Sequence, residues 1–126
     1  MSDTKIHIFD RETNTLDYKA GETILKAGEP ADKMFVVKEG EVEIHIQPGV
    51  TEVVDAGGFF GEMALITNEP RSATVVAKTD CKLVAVDVNR FKFMVSETPN
   101  FALVIMRVLV ERLRRRNAYV AELLKG

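Results

Sequence analysis

Short runs of β-forming residues, separated by glycine and proline turns, dominate residues 5–87 and limit what this chain can fold into. Residues 33–38 are strongly apolar, and residues 41–46 alternate polar and apolar side chains after the turn at Glu39-Gly40. The two runs therefore predict a hairpin with one buried face. Further runs lie at 5–9, 16–19, 23–26, 51–55, 73–78 and 81–87. Because no helical pattern alternates with them, we predict about eight strands in a jelly-roll-like β-roll.

The pattern becomes helical near residue 89. Residues 90–97 are rich in aromatic and aliphatic side chains and predict a short helix, which ends at Thr98-Pro99 because the residue before a proline disfavours helical geometry. A long helix is predicted at 99–125. The fold class is therefore mainly β with C-terminal helices. We predict a single domain over residues 1–126, with a β-roll at 1–88 followed by a short and a long helix at 89–126.

The predicted long helix has two apolar faces. The first has heptad spacing with an asparagine at an a-type position, and it consists of Leu103, Met106, Val110, Leu113, Asn117, Val120 and Leu124. The second consists of Phe101, Ile105, Val108, Leu109 and Arg112. Since the second face can pack on the β-roll, the first predicts a homodimer through the 99–125 helix. The alternative is that one stripe is chance periodicity on a partly exposed helix.

Composition and charge narrow the function classes. The chain has 126 residues, 46% of them hydrophobic, and its net charge of −2 provides no general attraction to nucleic acid or anionic lipid. The longest strongly apolar stretch, 101–110, is too short to cross a bilayer, and no secretory signal is evident. We therefore predict a cytoplasmic protein with no membrane partner. Cys81 lies in an alternating strand pattern and is expected to be a buried, inert thiol.

A cluster of arginines lies in the long helix, at Arg112, Arg114, Arg115 and Arg116. Such a cluster can form a nucleic-acid patch. On a chain with a negative net charge it is more often a solvated helix face. We therefore predict that these arginines are solvated and that the protein has no DNA partner.

Residues 57–74, with the sequence G-G-F-F-G-E-M-A-L-I-T-N-E-P-R-S-A-T, have the parts of an anion pocket. The glycines permit close backbone approach, and one turn of helix at 62–66 would direct free N–H groups toward an anion. Arg71 and Ser72 add a guanidinium and a hydroxyl that suit phosphate oxygens. Glu62 is compatible with such a ligand if the ligand also carries hydroxyl donors, as a sugar phosphate does. Alternatively, Arg71 pairs with Glu62 or Glu69, and the glycines form ordinary turns.

The runs F-G-E-M-A-L at 60–65 and P-R-S-A-T at 70–74 resemble the phosphate-binding cassette of cyclic nucleotide-binding domains. Catabolite activator proteins, regulatory subunits of cyclic AMP-dependent kinase and cyclic nucleotide-gated channels contain such domains. The resemblance implies that Glu62 accepts a hydrogen bond from the ribose 2′-hydroxyl and that Arg71 binds the cyclic phosphate. It also implies that the backbone at Gly61, Met63 and Ala64 faces the ribose-phosphate.

The resemblance further implies that the Ser72 hydroxyl contacts the phosphate or the base. Serine at this position occurs in bacterial cyclic AMP receptors, so cyclic AMP is the expected ligand, with cyclic GMP left open. In the catabolite activator proteins, the base-contacting positions of the long helix correspond to Arg116 and Asn117. This sequence departs from their Thr-Ser there, so either residue could cap the base, or Arg116 could be solvated while Asn117 serves the helix seam.

The functional prediction is a non-catalytic sensing module that transmits its ligand state through the C-terminal helices to a downstream protein that the sequence does not identify. No cofactor or metal is predicted. A metal enzyme of the cupin type is disfavoured because His7 and His45 are the chain's only histidines. A nucleotide-independent protein–protein adaptor is one alternative. A standalone bacterial-type protein without a DNA-binding domain is expected, and the other alternative is a regulatory module of a larger channel, kinase or transcription regulator.

Overall fold

The computed structural model describes residues 5–47 and 49–125, and the other positions of the predicted 1–126 domain lie outside them. Eight strands form two four-stranded antiparallel sheets, ordered β1-β8-β3-β6 and β2-β7-β4-β5, and two longer helices follow. The elements are β1 Leu16–Tyr18, β2 Thr23–Leu25, β3 Lys33–Glu39, β4 Val42–Gln47, β5 Val50–Val54, β6 Phe59–Phe60, α1 Met63–Ile66, β7 Thr74–Ala77, β8 Cys81–Asp87, α2 Val88–Glu97 and α3 Pro99–Lys125. The predicted fold class is confirmed, because eight strands in two sheets precede a short and a long helix.

Two local predictions are wrong. Residues 5–9 form no strand, and the eighth strand is instead β6, whose two phenylalanines pair with β3. The hairpin predicted from 33–38 and 41–46 does not form either, since β3 pairs with β6 and β8 while β4 pairs with β5 and β7. Gly40, at φ +90°, takes the chain from one sheet to the other. A Cβ there would lie 2.3 Å from the carbonyl oxygen of Asp80, so only glycine fits this turn.

The position of β3 explains why it does not pair with β4. Met34, Phe35, Val36 and Val37 are all buried, so both faces of this strand lie in hydrophobic surroundings. Met34 and Val36 pack with the helices, whereas Phe35 and Val37 pack with residues of the second sheet. An antiparallel strand with a solvated face would alternate between buried and exposed side chains. The continuous burial of β3 therefore shows that the strand lies between two hydrophobic cores and contributes side chains to both.

The C-terminal helices begin and end near their predicted limits. The Asp87 carboxylate accepts a hydrogen bond of 2.8 Å from the Arg90 backbone N–H and caps α2, and Thr98 ends the helix before Pro99. α3 packs on the roll through Phe101, Val104 and Ile105. No single helix among the described residues is long and apolar enough to cross a membrane. Taken together, α2 and α3 meet that criterion by length and composition, but they are bent by 114°.

The two faces predicted for the long helix differ in burial. Phe101 and Ile105 are buried, and Val108 and Leu109 pack against the same core. The apolar members of the heptad face are instead 46–83% exposed: Leu103, Met106, Val110, Leu113, Val120 and Leu124. Asn117 is exposed among them. One stripe therefore holds α3 on the roll, and the other leaves a long apolar seam on the surface of the chain.

Candidate functional site

A cavity of about 350 Å³ lies between the second sheet, α1 and the middle of α3. Its walls contain all the residues predicted for the cassette, namely Gly61, Glu62, Met63, Ala64, Arg71 and Ser72. Of the two candidates for the base cap, Arg116 lines the cavity. Asn117 is exposed and is not among the described lining residues, so its position favours the helix seam over the ligand site. Volumes of this order accommodate small organic ligands.

Arg71 is held at the cavity wall by backbone oxygens. Its Nη2 donates to the Lys33 carbonyl at 2.8 Å and its Nη1 donates to the Gly61 carbonyl at 3.2 Å, while the guanidinium lies 5.7 Å from the centre of the Phe35 ring. A Cβ at Gly61, which has φ +78°, would lie 2.8 Å from the Arg71 Nη1. Glycine is thus needed at this position both for its backbone conformation and for space. The arginine is fixed in place with further N–H groups free to bind an anion.

The pKa of Arg71 is lowered from its ordinary value chiefly by burial, and the nearby carboxylates of Asp32, Glu62 and Glu29 oppose that shift. A guanidinium remains protonated in proteins despite such a shift. The guanidinium of Arg71 is therefore partly buried, and no carboxylate forms an ion pair with it among the described contacts. An incoming anion would meet a cation that has already lost part of its water.

Glu62 lies at the start of α1, a single helical turn that begins one residue later than predicted. Its carboxylate does not pair with Arg71, and neither does that of Glu69 among the described contacts. The alternative of an Arg71–Glu62 or Arg71–Glu69 ion pair is therefore wrong. Glu62 instead accepts a hydrogen bond of 2.6 Å from the Nη1 of Arg112, which comes from α3.

Arg112 was predicted on the face of the long helix that packs on the roll, but its part in the site was missed. Its Nη2 donates to the Phe59 carbonyl, and its guanidinium lies 4.7 Å from the centre of the Phe59 ring. The side chains of Arg112 and Glu62 are only 11% and 10% exposed. Burial lowers the pKa of Arg112, while the carboxylates of Glu62 and Glu52 oppose that shift. A cation in this position connects α3 directly to the cassette.

The prediction that the whole arginine cluster is solvated is wrong for Arg112, although Arg114, Arg115 and Arg116 are exposed. Arg112 lies three residues after Leu109 and seven after Ile105, on the face that packs against the roll. The same spacing placed Arg112 on the second predicted face of the helix, and the prediction of a solvated cluster overlooked that placement. A buried charge on such a face needs a partner of opposite charge, and Glu62 provides one.

A second carboxylate, that of Glu52 on β5, also lies in the wall of the cavity. Its Oε2 is 3.9 Å from the Nε of Arg112, and its side chain is 17% exposed. Arg112 thus contacts two carboxylates from different parts of the chain, that of Glu52 on β5 and that of Glu62 at the start of α1. Sequence reasoning missed Glu52, because a glutamate in a short strand gives no local signal of facing inward.

Histidines form no common site. The His7 Nδ1 lies 3.4 Å from Asp10, whereas the His45 Nδ1 lies 3.3 Å from the Thr51 hydroxyl on β5. Across the described ranges, no group of three or more His, Cys, Asp or Glu side chains is placed to hold a metal ion. Cys81 is buried as predicted, and burial raises the pKa of its thiol.

Comparison with known proteins identifies the family. Residues 15–98 match the family model of the cyclic nucleotide-binding domain. The chain belongs to the cyclic nucleotide-binding domain family. It is 43% identical over 93 residues to a cyclic nucleotide-gated potassium channel of Mesorhizobium japonicum, an alignment that covers 74% of this chain and 26% of the channel. The chain thus spans about a quarter of the length of this curated relative.

Solved structures share the fold of this domain. The Thermus thermophilus catabolite activator protein superposes with a TM-score of 0.74 at 25% identity, covering 87% of this chain and 54% of that protein. A protein solved in a study of a cyclic-GMP-dependent signalling pathway that regulates bacterial phytopathogenesis has a TM-score of 0.74 at 24% identity. That match covers 90% of this chain and 95% of the other. At this identity, the second likeness concerns the fold alone.

Proposed function

We propose that this cyclic nucleotide-binding domain is a non-catalytic sensor that binds cyclic AMP in the cavity beneath α3 and transmits the bound state through α2 and α3. The observation that carries the proposal is the meeting of Arg71, Glu62 and Arg112 in one cavity. The first two come from the cassette at 57–74, and the third comes from α3, the helix that would transmit the bound state. We place this sensor in the cytoplasm, with no cofactor, and with a downstream protein as its partner.

The phosphate end of the site would be Arg71. A cyclic phosphodiester carries one negative charge on two exocyclic oxygens, which suit the planar donor arrangement of a guanidinium. The Lys33 and Gly61 carbonyls already orient this side chain, so binding would require little further ordering. The backbone of Gly61, Met63 and Ala64 would contribute around the ribose-phosphate, and the Ser72 hydroxyl would reach the phosphate or the base.

The ribose end would be Glu62, which could accept a hydrogen bond from the 2′-hydroxyl. The same carboxylate accepts a hydrogen bond from Arg112. A ribose hydroxyl arriving at Glu62 must therefore share that carboxylate with Arg112 or displace it. Displacement would remove a contact that holds the middle of α3 on the cassette, whereas sharing would join the ligand and α3 through one carboxylate. This competition supports transmission of the ligand state from the cavity to the helix.

The exposed seam of α3 supports the further proposal that the domain acts as a homodimer through this helix. A lone asparagine at an a-type position is a known means of setting register in two-stranded coiled coils, and Asn117 occupies such a position. A second candidate function is the ligand-sensing part of a cyclic nucleotide-gated channel. The 43% identical relative favours it, because the matched segment is a quarter of that channel.

Isothermal titration calorimetry with cyclic AMP tests the proposed binding. We expect saturable binding to the wild type and a loss of about 2–5 kcal/mol, or most measurable affinity, in Arg71→Ala, because the phosphate would lose its buried cationic partner. Arg114→Ala, which removes an exposed arginine from the same chain, should retain wild-type affinity. Equal affinities for wild type and Arg71→Ala would contradict the assignment of the phosphate site. No binding and no thermal stabilisation of the wild type by cyclic AMP or cyclic GMP would favour the adaptor alternative.

A further inference from the structure

Glu52 occupies a position in the cavity that the proposed phosphate and ribose contacts do not explain. It lies on β5 opposite Ile44 of β4, and both residues line the cavity. Within residues 5–47 and 49–125, its ion pair with Arg112 at 3.9 Å is the only polar contact that involves the carboxylate. At that distance the pair is an ion pair without a hydrogen bond. A largely buried carboxylate therefore retains capacity to accept hydrogen bonds from a ligand.

The position of Glu52 relative to the cassette indicates which part of a nucleotide it would meet. With the phosphate at Arg71 and the ribose at Glu62, the base would lie against lining residues outside the cassette. Those residues include Ile44 and Glu52 from the sheet and Leu109 and Leu113 from α3. The three aliphatic side chains suit the faces of a purine ring, and Glu52 is the acidic group among them.

An ionised carboxylate only accepts hydrogen bonds, so it distinguishes bases by the groups on their edges. At position 6 of the purine ring, adenine has an amino donor, whereas guanine has a carbonyl acceptor. A carboxylate that faces position 6 would bind the amine and repel the carbonyl, and guanine could satisfy it only by presenting its N1–H and 2-amino donors instead. The neighbouring Arg112 guanidinium offers a donor beside Glu52, and a ring nitrogen lies beside the adenine amine. With position 6 of the purine facing Glu52, the pair of side chains is complementary to adenine, whose amine faces the carboxylate and whose ring nitrogen faces the guanidinium.

We propose that Glu52 is a specificity-determining residue that accepts a hydrogen bond from the 6-amino group of adenine and so selects cyclic AMP over cyclic GMP. This inference rests on the proposed function, because it takes the base to lie between β4, β5 and α3. It also gives the preference for cyclic AMP a source other than Ser72, whose hydroxyl is compatible with either nucleotide.

Affinities for cyclic AMP and for its analogue without the 6-amino group, the cyclic monophosphate of purine riboside, provide the test. Wild-type protein should bind cyclic AMP about 10- to 100-fold more tightly than the analogue, as expected for a hydrogen bond to a charged group. In Glu52→Leu the ratio of the two affinities should fall to about one, because no acceptor remains. The matched control is Glu43→Leu. Glu43 neighbours Ile44 on β4 and therefore points to the opposite face of the strand, so the wild-type ratio should persist.

Glu52→Gln keeps the test decisive if the leucine variant folds poorly. Its amide can turn an N–H toward the guanine carbonyl, so the preference for cyclic AMP over cyclic GMP should narrow by about tenfold or more. A wild-type ratio near one for cyclic AMP and its analogue would overturn the inference, and so would an unchanged ratio in Glu52→Leu. In both cases binding itself would stand. If the wild type binds neither nucleotide, the proposed function fails first, and this inference fails with it.

Discussion

Removing the guanidinium of Arg112 should destabilise the unliganded domain far more than removing that of Arg114, two residues along the same helix. In Arg112→Met, the side chain keeps an aliphatic body that can cover the Phe59 ring, but it loses every polar contact. Those contacts are the hydrogen bond of 2.6 Å to Glu62, the hydrogen bond to the Phe59 carbonyl and the weaker ion pair with Glu52. The substitution also leaves the Glu62 carboxylate without its cation.

The size of the effect follows from burial. Breaking a buried ion pair by removing one partner costs about 3–5 kcal/mol when the other charge stays dry. Here the Glu62 side chain is 10% exposed and faces a cavity large enough for water, so part of its hydration can return. We therefore expect a loss of about 2–3 kcal/mol in the free energy of unfolding. In a domain of 126 residues, that corresponds to a fall of about 10 °C in the melting temperature.

Urea unfolding without nucleotide, followed by circular dichroism, measures this loss. Arg114→Met should change the free energy of unfolding by less than about 0.5 kcal/mol, because Arg114 is exposed. A double-mutant cycle with Glu62→Gln isolates the pair. The combined variant should be more stable than the sum of the single losses predicts by about 1.5–3 kcal/mol. If Arg112→Met is no less stable than Arg114→Met, or if the coupling is near zero, Arg112 does not anchor α3 through Glu62.

Two further predictions concern the helices. Saturating cyclic AMP should slow amide hydrogen exchange at 57–74 and also change the exchange rates in α2 and α3, since ligand and Arg112 compete for Glu62. A change confined to 57–74 would argue against transmission through the helices. Analytical ultracentrifugation should show a concentration-dependent dimer for the wild type and a monomer for Val120→Glu, which places a charge in the exposed seam. Identical sedimentation of the two would mean that the seam has some other use.

Much of the fold could be predicted because its signals are local. The alternation in residues 41–46 and in β8 reflects the geometry of a strand with unlike faces. The break at Thr98-Pro99 reflects steric restriction before a proline, and the structure ends α2 there. The cassette residues were identified because a continuous stretch of the sequence resembles the phosphate-binding cassette of cyclic nucleotide-binding domains. The structure brings Glu62 and Arg71 to one cavity, although their roles toward a nucleotide stay predictions.

The pairing of strands was harder to predict from the sequence, as β3 and β6 illustrate. Residues 33–38 and 41–46 have the local pattern of a hairpin, yet burial of both faces of β3 assigns the two runs to different sheets. β6 consists of only two residues and became a strand through its pairing with Phe35 and Val36. Both outcomes depend on which distant strand provides the hydrogen-bonding edge, and that choice is made by the packing of the whole roll.

By itself, the sequence determined the β-roll followed by two helices, the cassette at 57–74 and the two faces of α3. Each of these depends on a pattern of residue types among near neighbours in the chain. The tertiary structure alone decided that Arg112 contacts Glu62, which is separated from it by 50 residues. It also placed Glu52 in the wall of the same cavity. The local sequence does not show whether a charged side chain faces water or a buried partner. Only the residues that surround it in the fold determine whether an opposite charge offsets the cost of its burial.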